Sequence, residues 1–312
     1  MINMKRGNLF TMPISSRNYT FGVLVFLFII CGGCSGGGSE PPPLETTKPP
    51  NVIVESNQTL FTTTSRSFDI YRATNADKAI VFLHGGGGTK HNFAYELGIN
   101  LSIDDSSYNV VNEQILFDNK AIAVFPQGET IAAAPAAYTW NNYVMDSGQD
   151  DIQFLRDLVS FIATQYHVSK FYIVGHSNGG MMANRIWCEA PDLFEAYIAI
   201  SGPPSEHFLA PATLCSPTQV KPYLGIVGAQ DNVLQDYDWE AQTWTINPSL
   251  TEGDPSFVDP ILIGERYFLP TRVMQRCGGT VNAGDADAIT DSAVAKWSFC
   301  NNSIKLMRVE SG

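Results

Sequence analysis

Basic residues are scarce: 19 lysines and arginines stand against 31 aspartates and glutamates, for a formal net charge of −12. Such a chain would repel a phosphate backbone, which excludes nucleic-acid binding driven by charge. Histidine is scarcer still, with His84, His91, His167, His176 and His207 and none later in the chain. No C-x-x-C spacing occurs among Cys188, Cys215, Cys277 and Cys300, so these four do not have the pattern of a zinc centre. The longest apolar run, "FGVLVFLFII" at 21–30, falls short of the ~20 residues that a membrane-crossing helix needs.

That run does suit the apolar core of a secretory leader, since Lys5, Arg6 and Arg17 precede it. Met12 is an alternative start that would give a shorter leader. The following "CGGCSGGGSEPPP" resembles a bacterial lipoprotein cleavage site with Cys34 as the lipid-bearing residue, although Cys31 stands where such sites usually carry leucine. The expectation is a leader over residues 1–33 and an exported protein, either anchored to the bacterial outer membrane through Cys34 or released outside the cell. Residues 34–50 join a flexible glycine-serine part to a stiff proline part and read as a spacer. Residues 51–312 are of a length for one α/β domain, expected to be monomeric. The four cysteines in it are an even number in an exported chain, which allows two disulfides in any of three connectivities.

Short apolar, β-branched runs recur: "AIVFL" at 79–83, "AIAVF" at 121–125, "FYIV" at 171–174, "AYIAI" at 196–200, "YLGIV" at 223–227 and "IKLMRV" at 304–309. Strands buried on both faces of a parallel sheet read this way. Between two of them, Ile152, Leu155, Leu158, Val159 and Ile162 recur at helical spacing behind Asp150, a capping residue; Asp151 beside it reads as part of the same helix start. The alternation predicts a doubly wound, mostly parallel α/β sheet with helices on both faces. "LFTTTSRSFDIYRAT" has the alternation of an antiparallel edge strand or hairpin, and residues 235–277 read as loops and short helices.

Within "YIVGHSNGGMM" (172–182), the stretch Gly175 to Gly179 fits G-x-S-x-G between a strand and a helix. Glycines on both sides relieve crowding at a sharp turn and let the Ser177 hydroxyl stand exposed as a nucleophile. The Asn178 amide, at the helix start, can face a developing oxyanion. The glycine-rich "FLHGGGGT" (82–89) can bring a second amide, from Gly86 or else Gly85 or Gly87, while His84 anchors the loop. Its spacing does not fit a phosphate-cradling P-loop. Asp231, in the turn after "YLGIV", is placed to orient an imidazole; Asp236 and Asp238 are rivals. Tyr138 and Trp140, read as a loop after "AIAVF", are candidate walls of an acyl pocket or else ordinary packing aromatics.

The stretches "LHGGGGTKHNF", "VFPQG", "TWNNY", "DDIQFLRDLV", "VSKFYIVGHSNGGMMANRIWCEAPDLFEAYIAISG" and "GAQDNVL" together resemble the polyhydroxybutyrate depolymerase and feruloyl esterase-like α/β-hydrolases. That resemblance implies a secreted serine esterase without cofactor, acting on hydroxyalkanoate polyesters or feruloyl-type esters of plant walls. It further implies Ser177 as nucleophile, Asp231 as acid, and pairing of Cys188 with Cys215 and of Cys277 with Cys300. The chain departs from the family at Gly86, where a bulkier residue is common, and at "GAQD", where Gly-Thr-x-Asp is common.

The base is what this pattern leaves open. His176 adjoins the nucleophile, but neighbouring side chains at a strand end point apart. His91 and His167 read as surface or helix-end residues, and His207, in a loop after "AYIAI", is a substitute of lower standing. The resemblance places the catalytic histidine in a loop after the last strand, where "IKLMRV" is followed by "ESG". The expectation is therefore a domain truncated at its C-terminus, with its base encoded beyond Gly312. Rival readings are a non-catalytic surface lipoprotein that binds polymer or glycan in the hydrolase cleft, and a peptidase of the same fold.

Overall fold

Alternating faces along each apolar run sort the chain into layers. The computed structural model describes residues 52–309 apart from 62–64, 105, 109, 132–133, 144–146, 203–204, 209–212, 214, 229–287 and 292–293. Val52–Phe61 (β1) and Ser65–Ala73 (β2) form an antiparallel hairpin, as the alternation predicts, and Lys78–Leu83 (β3) follows. Then come Lys90–Glu96 (α1), Glu113–Asp118 (α2), Ala121–Pro126 (β4), and a small hairpin of Glu129–Ile131 (β5) and Ala134–Thr139 (β6). Asp151–Tyr166 (α3), Phe171–His176 (β7), Asn178–Glu189 (α4), Ala196–Ile200 (β8) and Tyr223–Gly228 (β9) complete the central part. Ala288–Asp291 (β10), Val294–Phe299 (β11) and Ile304–Val309 (β12) close it.

The main sheet runs β1-β2-β4-β3-β7-β8-β9-β12-β11-β10. Its centre, from β4 to β12, is parallel, and antiparallel strands flank it on both edges. On β3 and β4, Ala79, Val81, Leu83, Ile122 and Val124 enter one hydrophobic cluster with Leu155, Leu158 and Ile162 of α3 and Met182, Ile186 and Trp187 of α4. Ala123 and Phe125 point the other way, into a second cluster with Phe93 and Ala94 of α1 and Leu116 of α2. Successive side chains of a strand face opposite sides, so a sheet apolar on both faces must carry helices on both. Each fully buried Leu, Ile or Phe contributes roughly 1.5–3 kcal/mol to holding this arrangement. Asp150 caps α3 by accepting from the Gln153 amide (3.0 Å). Among the described residues no helix is long and apolar enough to cross a membrane.

Tyr138 and Trp140 do not lie on an open loop as expected. Tyr138 is on β6, and Trp140, directly after it, is fully buried in the first cluster. Asp151 is more than a helix-start residue: it forms a buried ion pair with Arg66 of β2. His91 is buried near the start of α1, with Nε2 3.1 Å from Ser102 O, whereas His167 is an exposed left-handed cap at the end of α3. Residues 235–277 lie outside the described residues.

Candidate active site

The β7 strand runs into Ser177, which has φ 51° and ψ −121°, and α4 begins at the next residue. A non-glycine residue held in this left-handed region is strained by about 1–3 kcal/mol, and surrounding contacts must impose it. Here they do: the Ser177 amide donates to Ile200 O at the end of β8 (2.8 Å), and Ser177 O accepts from the Met181 amide (2.9 Å). The flanking glycines serve close approach, since a Cβ on Gly175 would overlap Gly179 O, and one on Gly179 would overlap Leu83 O. The helix thus sits hard against β3 and β7, with Ser177 half-buried at their carboxyl ends. As the first residue of α4, Asn178 has an amide with no acceptor inside the helix.

The glycine loop after β3 lies beside this turn, and a Cβ on Gly85 would stand 3.4 Å from Ser177 Cβ. The Gly87 amide donates to Tyr138 O (2.7 Å) and the Gly88 amide to Gly85 O (3.0 Å). Gly87, one of the alternatives for a second oxyanion donor, is thereby spent. None of the described residues accepts from the Gly85 or Gly86 amide. His84 closes the base of the loop: its Nε2 accepts from the Gly128 amide (2.9 Å), so the ring proton lies on Nδ1, which donates to Gly85 O (2.7 Å). Burial, helped by the charge of Arg66 and opposed by the bond to Gly85, pushes the His84 pKa down to about 4.

The segment 138–142 crosses between loop and elbow. Trp140 Nε1 donates to His84 O (3.0 Å), and the Trp140 amide donates to Asn178 Oδ1 (2.7 Å). Asn178 Nδ2 returns a bond to Trp140 O (3.2 Å), and Asn142 Nδ2 donates to Asn178 O (3.1 Å). Beneath it, Asp151 Oδ2 accepts from the Asn141 amide (2.6 Å), while the Arg66 guanidinium lies 3.9 Å from the Phe154 ring centre. Sequence reasoning missed this framework of Arg66, Asp151, Trp140 and the Asn178 side chain. Apart from Arg66, its residues stood in the quoted stretches "TWNNY", "DDIQFLRDLV" and the one containing "GHSNGG".

None of the five histidines is hydrogen-bonded to the Ser177 hydroxyl among the described residues. The His176 ring stacks near Phe93 of α1 (6.3 Å between centres). The His207 ring lies flat on Tyr143 (3.9 Å). Burial, with a hydrogen bond to Glu189, raises the Tyr143 pKa, and Arg185 lies over the same ring at 4.1 Å. Cys188 of α4 is bonded to Cys215, the pairing the resemblance implied. Cys300 is disulfide-bonded as well. Asp231, Cys34 and Cys277 lie outside the described residues, as do the rival acids Asp236 and Asp238. Among the described residues no group of three acidic, histidine or cysteine side chains is placed to hold a metal.

Residues 78–214 match the family model described as alpha/beta hydrolase fold. Among solved structures, a thermostable esterase is 13% identical with a TM-score of 0.44, over 84% of this chain and 55% of that one. The feruloyl esterase module from Clostridium thermocellum, as an S954A mutant complexed with sinapinate, is 13% identical (TM-score 0.41; 57% of this chain, 67% of that one). An S-formylglutathione hydrolase (FrmB) from Staphylococcus aureus is 13% identical (TM-score 0.41; 61% and 82%). The chain thus spans about half the length of the thermostable esterase. Comparison with curated proteins finds no match. Strand order, helices on both faces and the family match over residues 78–214 together make this an α/β-hydrolase fold.

Proposed function

We infer that the protein is a serine hydrolase of carboxylic esters. The observation that carries this is Ser177, held in a strained left-handed conformation between β7 and α4, beside the Asn178 amide, from which none of the described residues accepts. Strain of this kind, imposed by packing, lifts a hydroxyl clear of the sheet edge. The Ser177 oxygen attacks the ester carbonyl carbon, and its proton passes to a base that Asp231 orients. Negative charge then gathers on the former carbonyl oxygen, where the Asn178 and Gly86 amides and the positive end of α4 stabilise it. Collapse expels the alcohol and leaves an acyl-enzyme, which water hydrolyses to acid and free serine.

The substrate class we propose is a polyester of hydroxyalkanoates or a feruloyl-type ester. The support is the resemblance of the quoted stretches and an overall negative charge, which favours neutral esters over polyanions. Export, with anchoring at Cys34 and a second disulfide between Cys277 and Cys300, belongs to the same reading.

Turnover of short p-nitrophenyl esters and of methyl ferulate tests it, with the chain used alone and extended by any residues its reading frame encodes after Gly312. Ser177→Ala is expected to lower kcat by at least ~10³-fold. Equal rates in wild type and variant would remove the serine mechanism. Turnover of peptides but not of esters would favour a peptidase, and binding of polymer without turnover a non-catalytic role.

A further inference from the structure

The two amides assigned to the oxyanion belong to loops from different strands. Gly86 follows β3 and Asn178 follows β7. The strands are paired, with Leu83 opposite Gly175, but the ladder ends there and cannot fix the gap between the loops beyond it. The segment 138–142 is bonded to both. On the loop side Tyr138 O receives the Gly87 amide and Trp140 Nε1 reaches His84 O. On the elbow side Trp140 and the Asn178 side chain exchange two hydrogen bonds, as paired strand residues do, and Asn142 holds Asn178 O. The Asn178 side chain and carbonyl are held in this way, and Ser177 O, which shares a peptide plane with the Asn178 amide, accepts from the Met181 amide (2.9 Å), so the direction of the Asn178 amide is fixed.

We propose that the segment 138–142 is the spacer that sets the distance between the two oxyanion-binding amides, with Trp140 and Asn142 as positioning residues. This rests on the reading of Ser177 as nucleophile. Trp140 serves both sides at once, so a shift in its ring moves one donor relative to the other. A tetrahedral oxyanion gains from both donors together, whereas a planar substrate carbonyl gains little. The spacer therefore acts on kcat and leaves KM nearly unchanged. A role in folding alone would lower stability and leave kcat intact.

The test uses the form of the protein that turns over esters in the assay above. Trp140→Phe keeps most of the ring volume and removes the bond to His84 O; Asn142→Leu keeps shape and removes the bond to Asn178 O. Each is expected to lower kcat by about tenfold to a hundredfold, short of the loss of a whole donor, with KM within about twofold. Affinity for an alkyl boronic acid should weaken by a similar factor. In that adduct the Ser177 oxygen bonds to boron, the hydroxyl proton leaves to solvent, and a boron-bound oxygen occupies the oxyanion position. Ile162→Val, on the core-facing side of α3, is the control that lowers stability without changing kcat. Folded Trp140→Phe with wild-type kcat and boronate affinity would overturn the spacer. Absence of both ester turnover and boronate binding in the wild type would instead overturn the reading of Ser177, and the spacer with it.

Discussion

The His84 imidazole stands one residue past β3, and both its nitrogens are committed to the loop it begins. With Nε2 accepting from the Gly128 amide, protonation would set two donors against each other in a buried site. This is the geometric counterpart of a pKa pushed down to about 4, with burial as the largest cause. In the unfolded chain an ordinary histidine titrates near 6.5. Above that pH both states are neutral at this residue and it contributes no pH dependence. Between about 6.5 and 4 the unfolded chain takes up a proton that the folded one refuses, so stability falls as pH falls. The loss through this window is about 3 kcal/mol. Urea midpoints at pH 7 and pH 4.5 should show it, and in His84→Asn the part of the slope due to this residue should vanish. An unchanged slope would mean that the imidazole is not held neutral.

Between elements, Arg66 of β2 and Asp151 of α3 meet as a buried pair beneath the segment after β6. Their side chains are 2% and 0% exposed, so water cannot take over for a missing partner. Asp151→Asn should therefore destabilise by roughly 3–5 kcal/mol, because it leaves a buried guanidinium with Gln127 O as its chief acceptor. Arg66→Met combined with Asp151→Leu should cost less than that single change, and chemical denaturation of the three proteins ranks them. A single variant no less stable than the double one would show that the charge is not sealed in. The pair also marks where sequence reading stops. The strands β3, β4, β7, β8, β9 and β12 were legible, because burial on both faces demands unbroken apolar runs. The elbow at Ser177 was legible because glycine, serine and glycine at fixed spacing serve one backbone geometry. Arg66 and Asp151, 85 residues apart, meet only through the fold, and nothing local announces it. The β5–β6 hairpin, "ETI" and "APAAYT", is short, rich in alanine and broken by proline, so no period of two appears, and the sequence leaves Trp140 open between a pocket wall and a packing aromatic.

At the scale of the molecule, the proposed leader, the proposed lipid attachment at Cys34 and the Cys188–Cys215 disulfide are linked by compartment. A bacterial cytosol keeps thiols reduced, and a disulfide that ties the end of α4 to the segment before β9 needs oxidising surroundings to form. With the two cysteines at a sequence separation of 27, closing this loop restrains the unfolded chain enough to stabilise the fold by about 3 kcal/mol. If the chain is exported and anchored as proposed, two measurements on the same expressed protein must agree. The mature N-terminus should begin at Cys34 and carry the mass of attached acyl chains, and Cys188 and Cys215 should resist alkylation until reduced. The same domain made without residues 1–33 in a reducing cytosol should show free thiols and a lower urea midpoint, and it should recover on oxidation. Replacing both cysteines by alanine should erase the difference between the two preparations. An unprocessed N-terminus with Cys188 and Cys215 freely alkylated would place the protein inside the cell and leave its proposed extracellular esters out of reach.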